Sequence, residues 1–197
     1  MKVEGLQVIK CLRFLTPFTD DKTLAERQAQ LEDWNVQVTE NFDEAVDGAE
    51  ALIVSINDGS YHLEYFEKCA GLGIPIFLDK PMADTVSASQ KISEIAQENG
   101  TSFFTASSLR FGDQIVQAGK EVSRPSLVTI YGPLGIAPAG SSIVWYGVHA
   151  FEMLESLLGT GAELVTVVRD KKGAVAHITY ADDRRGIVEL TEGNWQY

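Results

Sequence analysis

Ala51-Leu52-Ile53-Val54-Ser55-Ile56, then the polar turn Asn57-Asp58-Gly59-Ser60, and later Ile74-Pro75-Ile76-Phe77-Leu78, then Asp79-Lys80-Pro81, decide the fold. Each is an apolar run of strand length with polar residues directly behind it. A continuous apolar run is expected for a strand covered on both faces. Between the two runs, Tyr61 to Ala70 has helical spacing, with Leu63, Phe66 and Ala70 on its inner side and Gly71 and Gly73 ending it. Beyond Pro81 a helix is expected over Asp84 to Asn99, with Ala88, Ile92, Ile95 and Ala96 facing in and Gly100 past its end. Ser102 to Ala106 is the next strand. Strand, helix, strand, helix, strand with short connections is the pattern of a parallel sheet with right-handed crossovers.

Working outward, Val8 to Leu15 reads as a strand interrupted by Lys10 and Arg13, and Val36-Gln37-Val38 as a short one. Asp20 to Glu32 reads as a helix capped by Thr19 or Asp20. Asn41 starts a short helix, with Glu44 in capping-box spacing and Gly48 as the stop. After Arg110 the pattern changes. Ser126 to Tyr131 is a strand, residues 132–142 form a Gly/Pro/Ala/Ser-rich loop, and Val144 to Leu158 is a helix. Glu163 to Arg169, Gly173 to Tyr180 and Gly186 to Leu190 are strands with hairpin-like spacing. The expected fold is α/β: a partial Rossmann-type parallel sheet over residues 1–108, then an α+β domain with a largely antiparallel sheet over 109–197.

The composition bounds what such a chain does. It has 197 residues and is 45% hydrophobic, enough for a sizeable core. There are 28 Asp+Glu against 16 Lys+Arg, a formal net charge of -12, which repels phosphate backbones and anionic bilayers. No nucleic-acid or membrane partner is expected. Cys11 and Cys69 make no disulfide framework, no secretion signal is visible in Met1 to Leu15, and the apolar stretches are too short to span a bilayer. A reducing cytoplasm is the simplest home. Three scattered histidines, with no His-x-x-x-His or Cys-x-x-Cys pair, give metal ligation no support.

Ligands of open parallel sheets bind outside the carboxyl ends of the strands. That rule selects Ser55 to Gly59, Asp79-Lys80-Pro81 and Ser107 to Arg110, which together form the floor of one expected cleft. Every strand must end in a polar turn, so one such segment alone carries little weight. Lys80 stands out, because proline locks the bend behind it and a lysine there can orient a hydroxyl or stabilise an alkoxide. His149 is the second candidate, a proton shuttle on the later helix. Trp145, His149, Glu152 and Ser156 line one strip of that helix. The ordinary alternative is a buried histidine satisfied by Glu152 or a backbone carbonyl. No Gly-x-Gly-x-x-Gly follows a strand: Gly71-Leu72-Gly73 precedes one, and Gly159-Thr160-Gly161 follows a helix. The residues alone therefore do not name a cofactor.

The run from Ala51 to Arg110, through Leu78-Asp79-Lys80-Pro81-Met82-Ala83, resembles the Gfo/Idh/MocA family of sugar and polyol oxidoreductases, which usually writes Glu-Lys-Pro-x-Ala there. Trp145-Tyr146-Gly147-Val148-His149 looks like the family's Gly-x-His helix. The resemblance implies an NAD or NADP cofactor and a sugar-like small-molecule substrate. It also implies Lys80 and His149 as catalytic residues, and cofactor contacts from Ser55, Asn57, Asp58, His62, Asp79, Lys80 and Pro81. Ser108, Arg110, Trp145 and Glu152 are candidates for the substrate wall. Four departures stand against it, one of them a turn before His62 longer than the family's commonest form. Trp145 replaces a common aspartate, the family's first strand and glycine loop are missing, and the family's large sheet normally runs past Tyr197. Read this way the chain is shortened at both ends, and cofactor binding is expected to be weakened or absent. The rival readings are a non-catalytic remnant or binding module of the same fold, and an NAD-using lyase or glycosidase. Homo-oligomerisation through the C-terminal sheet is a further expectation.

Overall fold

The computed structural model describes residues 4–193. The first third is a small parallel pair. Strand β1 (Lys10–Leu12) pairs with β2 (Gln37–Thr39), joined by helix α1 (Asp21–Asp33). The Asp20 side chain caps α1 by accepting the Thr23 N–H at 2.7 Å. Helix α2 (Phe42–Val46) is capped by Asn41, whose side chain accepts the Glu44 N–H. The second half of the expected capping box is relayed. Thr39 Oγ1 donates to the Glu44 carboxylate and accepts the Asn41 N–H.

The deciding stretch forms a separate three-stranded parallel sheet, β3 (Leu52–Val54), β4 (Ile76–Asp79) and β5 (Phe103–Ala106), in that order. Helices α3 (His62–Ala70) and α4 (Val86–Asn99) connect them. A 3-10 turn, Gly59–Tyr61, leads into α3, and Thr85 caps α4. Val54, Phe66, Ile76, Leu78, Ile92 and Ala96 form the core between sheet and helices. Coverage on both faces, expected from the apolar runs, is not what forms. Ile53 and Phe104 point away from α3 and α4 and are 61% and 57% exposed. Phe77 and Phe104 pack ring against ring on that open face, with centroids 4.8 Å apart.

Among the described residues no ladder joins β1 to β3. The doubly wound order 3-2-1-4-5-6 divides into a pair and a triplet when its strand 1 is not counted, and that is the division observed. Aromatic packing bridges the two sheets instead. Phe14, just past β1, stacks on Tyr65 of α3 at 4.8 Å.

The second part has its own core. A helix that the sequence reading did not anticipate, α5 (Asp113–Glu121), precedes β6 (Leu127–Pro133). The next helix begins as a π-turn, Ile143–Gly147, and only becomes α-helical as α6 (Val148–Leu158). Strands β7 (Ala162–Arg169), β8 (Gly173–Tyr180) and β9 (Arg185–Thr191) complete a sheet of order β6-β9-β8-β7. It is antiparallel except for the parallel β6–β9 pair. Ala150, Met153, Leu154 and Leu158 of α6 pack on Val128, Ile130, Ala176, Ile178, Val188 and Leu190. The approach is close. A Cβ at Gly186 would lie 2.7 Å from Leu154 Cδ2, so glycine lets α6 settle onto the sheet. α6 does not cover β7, which is exposed along its whole length.

Leu154, 3% exposed at this contact, should be costly to truncate. Leu154→Ala is expected to lose about 2–5 kcal/mol in urea denaturation. Val168→Thr, on exposed β7, should change stability by less than about 0.5 kcal/mol.

Candidate active site

The carboxyl ends of β3, β4 and β5 turn toward the start of α6, and the candidate residues gather there. β4 delivers Asp79, and the bend behind it carries Lys80 and Pro81 with a cis Lys80–Pro81 bond. The Lys80 side chain is 13% exposed, and its ammonium lies 3.8 Å from the Asp79 carboxylate. His62 braces the bend. Its ring is fully buried, with Nδ1 2.8 Å from the Pro81 carbonyl and Nε2 2.8 Å from the Ile56 carbonyl. It thereby ties the turn after β3 to the bend after β4. Gly59 lies against the same bend, where a Cβ would come within 3.0 Å of Pro81 Cγ.

His149 enters from the first turn of α6. The end of β5 holds it: Ser107, with no exposed surface, places Oγ 2.6 Å from His149 Nδ1. Burial is the main force on the ring's proton affinity, and the Lys80 ammonium is the second. Together they push its pKa down to about 4, with the Asp79 carboxylate pulling weakly the other way. The Lys80 charge thus reaches the imidazole, and the ring is neutral at ordinary pH. This depressed folded-state pKa stabilises the fold above about pH 6.5, and that stability is lost as pH falls toward about 4.

Three candidate residues hold partners within the protein. His62 has both nitrogens against carbonyls and no exposed surface, so it braces the site. Asp58 is 8% exposed, and its carboxylate caps the 3-10 turn by accepting from Ser60 N–H and Oγ–H. It too is occupied. Glu152 does not satisfy His149. Its Oε2 accepts the Ser107 N–H at 2.8 Å and lies 3.5 Å from Arg110, which also meets Glu155 at 2.9 Å. Glu152 and Arg110 therefore fasten the segment after β5 to α6 rather than standing as open pocket wall. Ser55, Asn57 and Ser108 are exposed.

A cleft of about 90 Å³ brings Asn57, Asp58 and Pro81 together with Trp145, Phe18 and Ser141. Lys80 and His149 do not line it. A wider hollow of about 350 Å³ lies beside it over Met82–Val86 and α4. An aromatic chain runs from the cleft to the histidine: Phe18 to Trp145 at 5.4 Å, Trp145 to Tyr146 at 5.4 Å, and Tyr146 to His149 at 5.0 Å. Sequence reasoning passed over Ser107, Phe18 and Tyr146. Ser107 had a signal, as the first residue beyond an apolar strand, but Ser108 beside it was chosen. Phe18 had none, since only the tertiary fold carries it to Trp145.

The comparisons with known proteins bear on the fold. The model of the oxidoreductase family with an NAD-binding Rossmann fold, Gfo/Idh/MocA, matches residues 18–107. That segment is similar to this family, and the match covers just under half of the chain. No curated protein sequence matches the chain. Among solved structures, a protein of Desulfitobacterium hafniense assigned as an NADPH-dependent oxidoreductase superposes with a TM-score of 0.74 at 20% identity, over 96% of this chain and 60% of its own. Myo-inositol 2-dehydrogenase of Lactobacillus plantarum gives 0.74 at 14%, over 97% and 63%. The WlbA dehydrogenase of Bordetella pertussis, crystallised with NADH and UDP-GlcNAcA, gives 0.67 at 16%, over 83% and 59%. The chain therefore spans about three-fifths of the length of these solved structures. Among the described residues no cluster of three His, Cys, Asp or Glu side chains could hold a metal, and no helix is long and apolar enough to cross a membrane.

An NMR titration of the imidazole should place the His149 midpoint near 4. Removing the ammonium with Lys80→Met should raise the midpoint, but not to the usual value near 6.5, because burial persists.

Proposed function

We propose that this chain carries the nicotinamide-side machinery of an NAD(P)-dependent oxidoreductase acting on a carbinol or carbonyl carbon of a sugar- or polyol-like small molecule. One observation carries the reading: Lys80, on the bend behind β4, and the half-buried His149, held by Ser107 just beyond β5, both stand at the carboxyl ends of the parallel triplet. When bound, the nicotinamide accepts or gives the hydride. The protein supplies the rest. Lys80 orients the substrate oxygen and stabilises negative charge on it. His149 is the group that exchanges a proton with that oxygen. Trp145 and Tyr146 give the substrate an aromatic wall.

The residues fit the two ends of a dinucleotide unequally. Lys80, Asp79 and the exposed Ser55 and Asn57 suit the nicotinamide and its ribose. The diphosphate finds no such cradle among the described residues. The starts of α1, α2 and α5 carry Asp20 and Asp21, Asp43 and Glu44, and Asp113. A carboxylate at a helix N-terminus competes for the dipole that would hold a phosphate. Cofactor affinity of this chain is therefore weak. The same acidic helix starts favour a second reading, a non-catalytic binding module of this fold. Trp145 at the place of an acidic residue keeps an NAD-using lyase or glycosidase in view. The exposed Leu164, Val168 and Val175 support self-association through the C-terminal sheet. A cytoplasmic setting agrees with the two free cysteines.

Calorimetric titration with NAD and NADP, followed by absorbance at the nicotinamide band with a panel of sugars and inositols, tests the proposal. Weak binding with turnover, lost in Lys80→Ala and in His149→Ala while the fold persists, is the expected result. Silence at millimolar cofactor supports the binding module. Normal turnover in both variants overturns the assignment of these residues.

A further inference from the structure

We infer that two copies of this chain join edge to edge through β7, antiparallel, with Thr166 on the two-fold axis. This deepens, and rests on, the self-association proposed above, and it names the strand and the register. β7 ends the sheet order β6-β9-β8-β7, so its outer edge meets no other strand among the described residues. Every residue from Ala162 to Arg169 is exposed, and the core under α6 draws none of its members from them. An open edge is ordinarily blunted by lysine, proline, a bulge or an inward-pointing charge. Leu164-Val165-Thr166-Val167-Val168 carries no lysine, proline or charge, and the register shift between Ala162 and Leu164 falls at its beginning.

The β7–β8 hairpin sets which backbone groups face outward. Arg169 lies opposite Ala174, and the next N–H, that of Asp170, donates to the Gly173 carbonyl at 3.1 Å. Opposed residues of an antiparallel ladder alternate between hydrogen-bonded and non-hydrogen-bonded pairs. Leu164, Thr166 and Val168 therefore direct their backbone groups to β8, and Val165 and Val167 direct theirs outward. A second β7 must match outward groups with outward groups. With Thr166 on the axis, Val165 exchanges both bonds with Val167 of the second copy, and Thr166 meets its counterpart as a non-hydrogen-bonded pair. The side chains favour this register. It sets Leu164 opposite Val168 and brings Glu163 to the end where Arg169 of the second copy stands. Moving the axis to Val165 or Val167 also matches the backbone, but sets Glu163 against Val167 or Arg169 against Val165. Opposite charges across a ladder favour pairing, and a charge against valine does not. Leu164 and Val168, 60% and 70% exposed in the single chain, then cover each other across the contact. The product is one eight-stranded sheet with α6 of both copies on the same face.

Sedimentation equilibrium and disulfide trapping test this, in about 0.15 M salt, so that the net charge of -12 on each chain is screened beyond about 8 Å. The unaltered protein should dimerise reversibly as its concentration rises. Glu163→Arg sets like charges together at both ends of the contact and should raise the dissociation constant on the order of tenfold. Adding Arg169→Glu to it should restore the original value. Thr166→Cys should give a disulfide-linked dimer on mild oxidation, because a non-hydrogen-bonded pair holds its Cα atoms about 4.5 Å apart, within disulfide reach. Val168→Cys, two residues from the axis, should not. The unaltered protein, with Cys11 and Cys69, gives the background. All of these positions are exposed, so the variants keep the fold. A chain that stays monomeric at millimolar concentration overturns both the inference and self-association. A dimer indifferent to Glu163→Arg, or one that links through residue 168 as readily as through 166, overturns the inference and leaves self-association standing by another surface.

Discussion

The site depends on an ammonium and an imidazole sharing one partly dry region without neutralising each other. A lysine beside a histidine is electrostatically unfavourable for a second positive charge, so the ring stays neutral while the amine supplies the field. Under the proposed function, that division leaves one cation to steady an oxygen and one neutral ring to handle a proton. The neighbouring Asp79 carboxylate, 3.8 Å from the amine, keeps the local charge balanced.

Much of the surrounding structure maintains that arrangement. His62 ties two strand ends together through carbonyls, and Gly59 lets the turn after β3 approach the bend at Pro81. From the other side, the Glu152–Arg110–Glu155 network joins the end of β5 to α6, the helix that bears His149. The π-turn over Ile143–Gly147 shifts the register of that helix just before the histidine, a placement common at functional sites. The two cores, one under α3 and α4 and one under α6, thus meet through polar contacts at the place where chemistry is proposed.

The parallel triplet was legible in the sequence because each strand is a short apolar run closed by a polar turn, and Phe66, Ile92 and Ile95 mark the inner helix faces. Lys80 and His149 stood out as candidates for a similar reason: a lysine on a proline-locked bend and a histidine beside a glycine on an amphipathic helix are local patterns. What escaped was set by tertiary geometry. Ile53 and Phe104 are as apolar as Ile76, and nothing local says that their face is bare. His62 and Asp58 have the composition of ligand residues, and only the fold shows both His62 nitrogens and Asp58 Oδ1 already engaged. The partnership of Ser107 with His149 joins residues 42 positions apart, which no local pattern records.

The most direct test of the proposed pairing is to follow the side-chain NMR signals of Lys80 and His149 while NAD is added at millimolar concentration. The account predicts that both sets shift together, with the same concentration dependence. Binding that moves signals elsewhere on the protein while leaving both of these unchanged would contradict it.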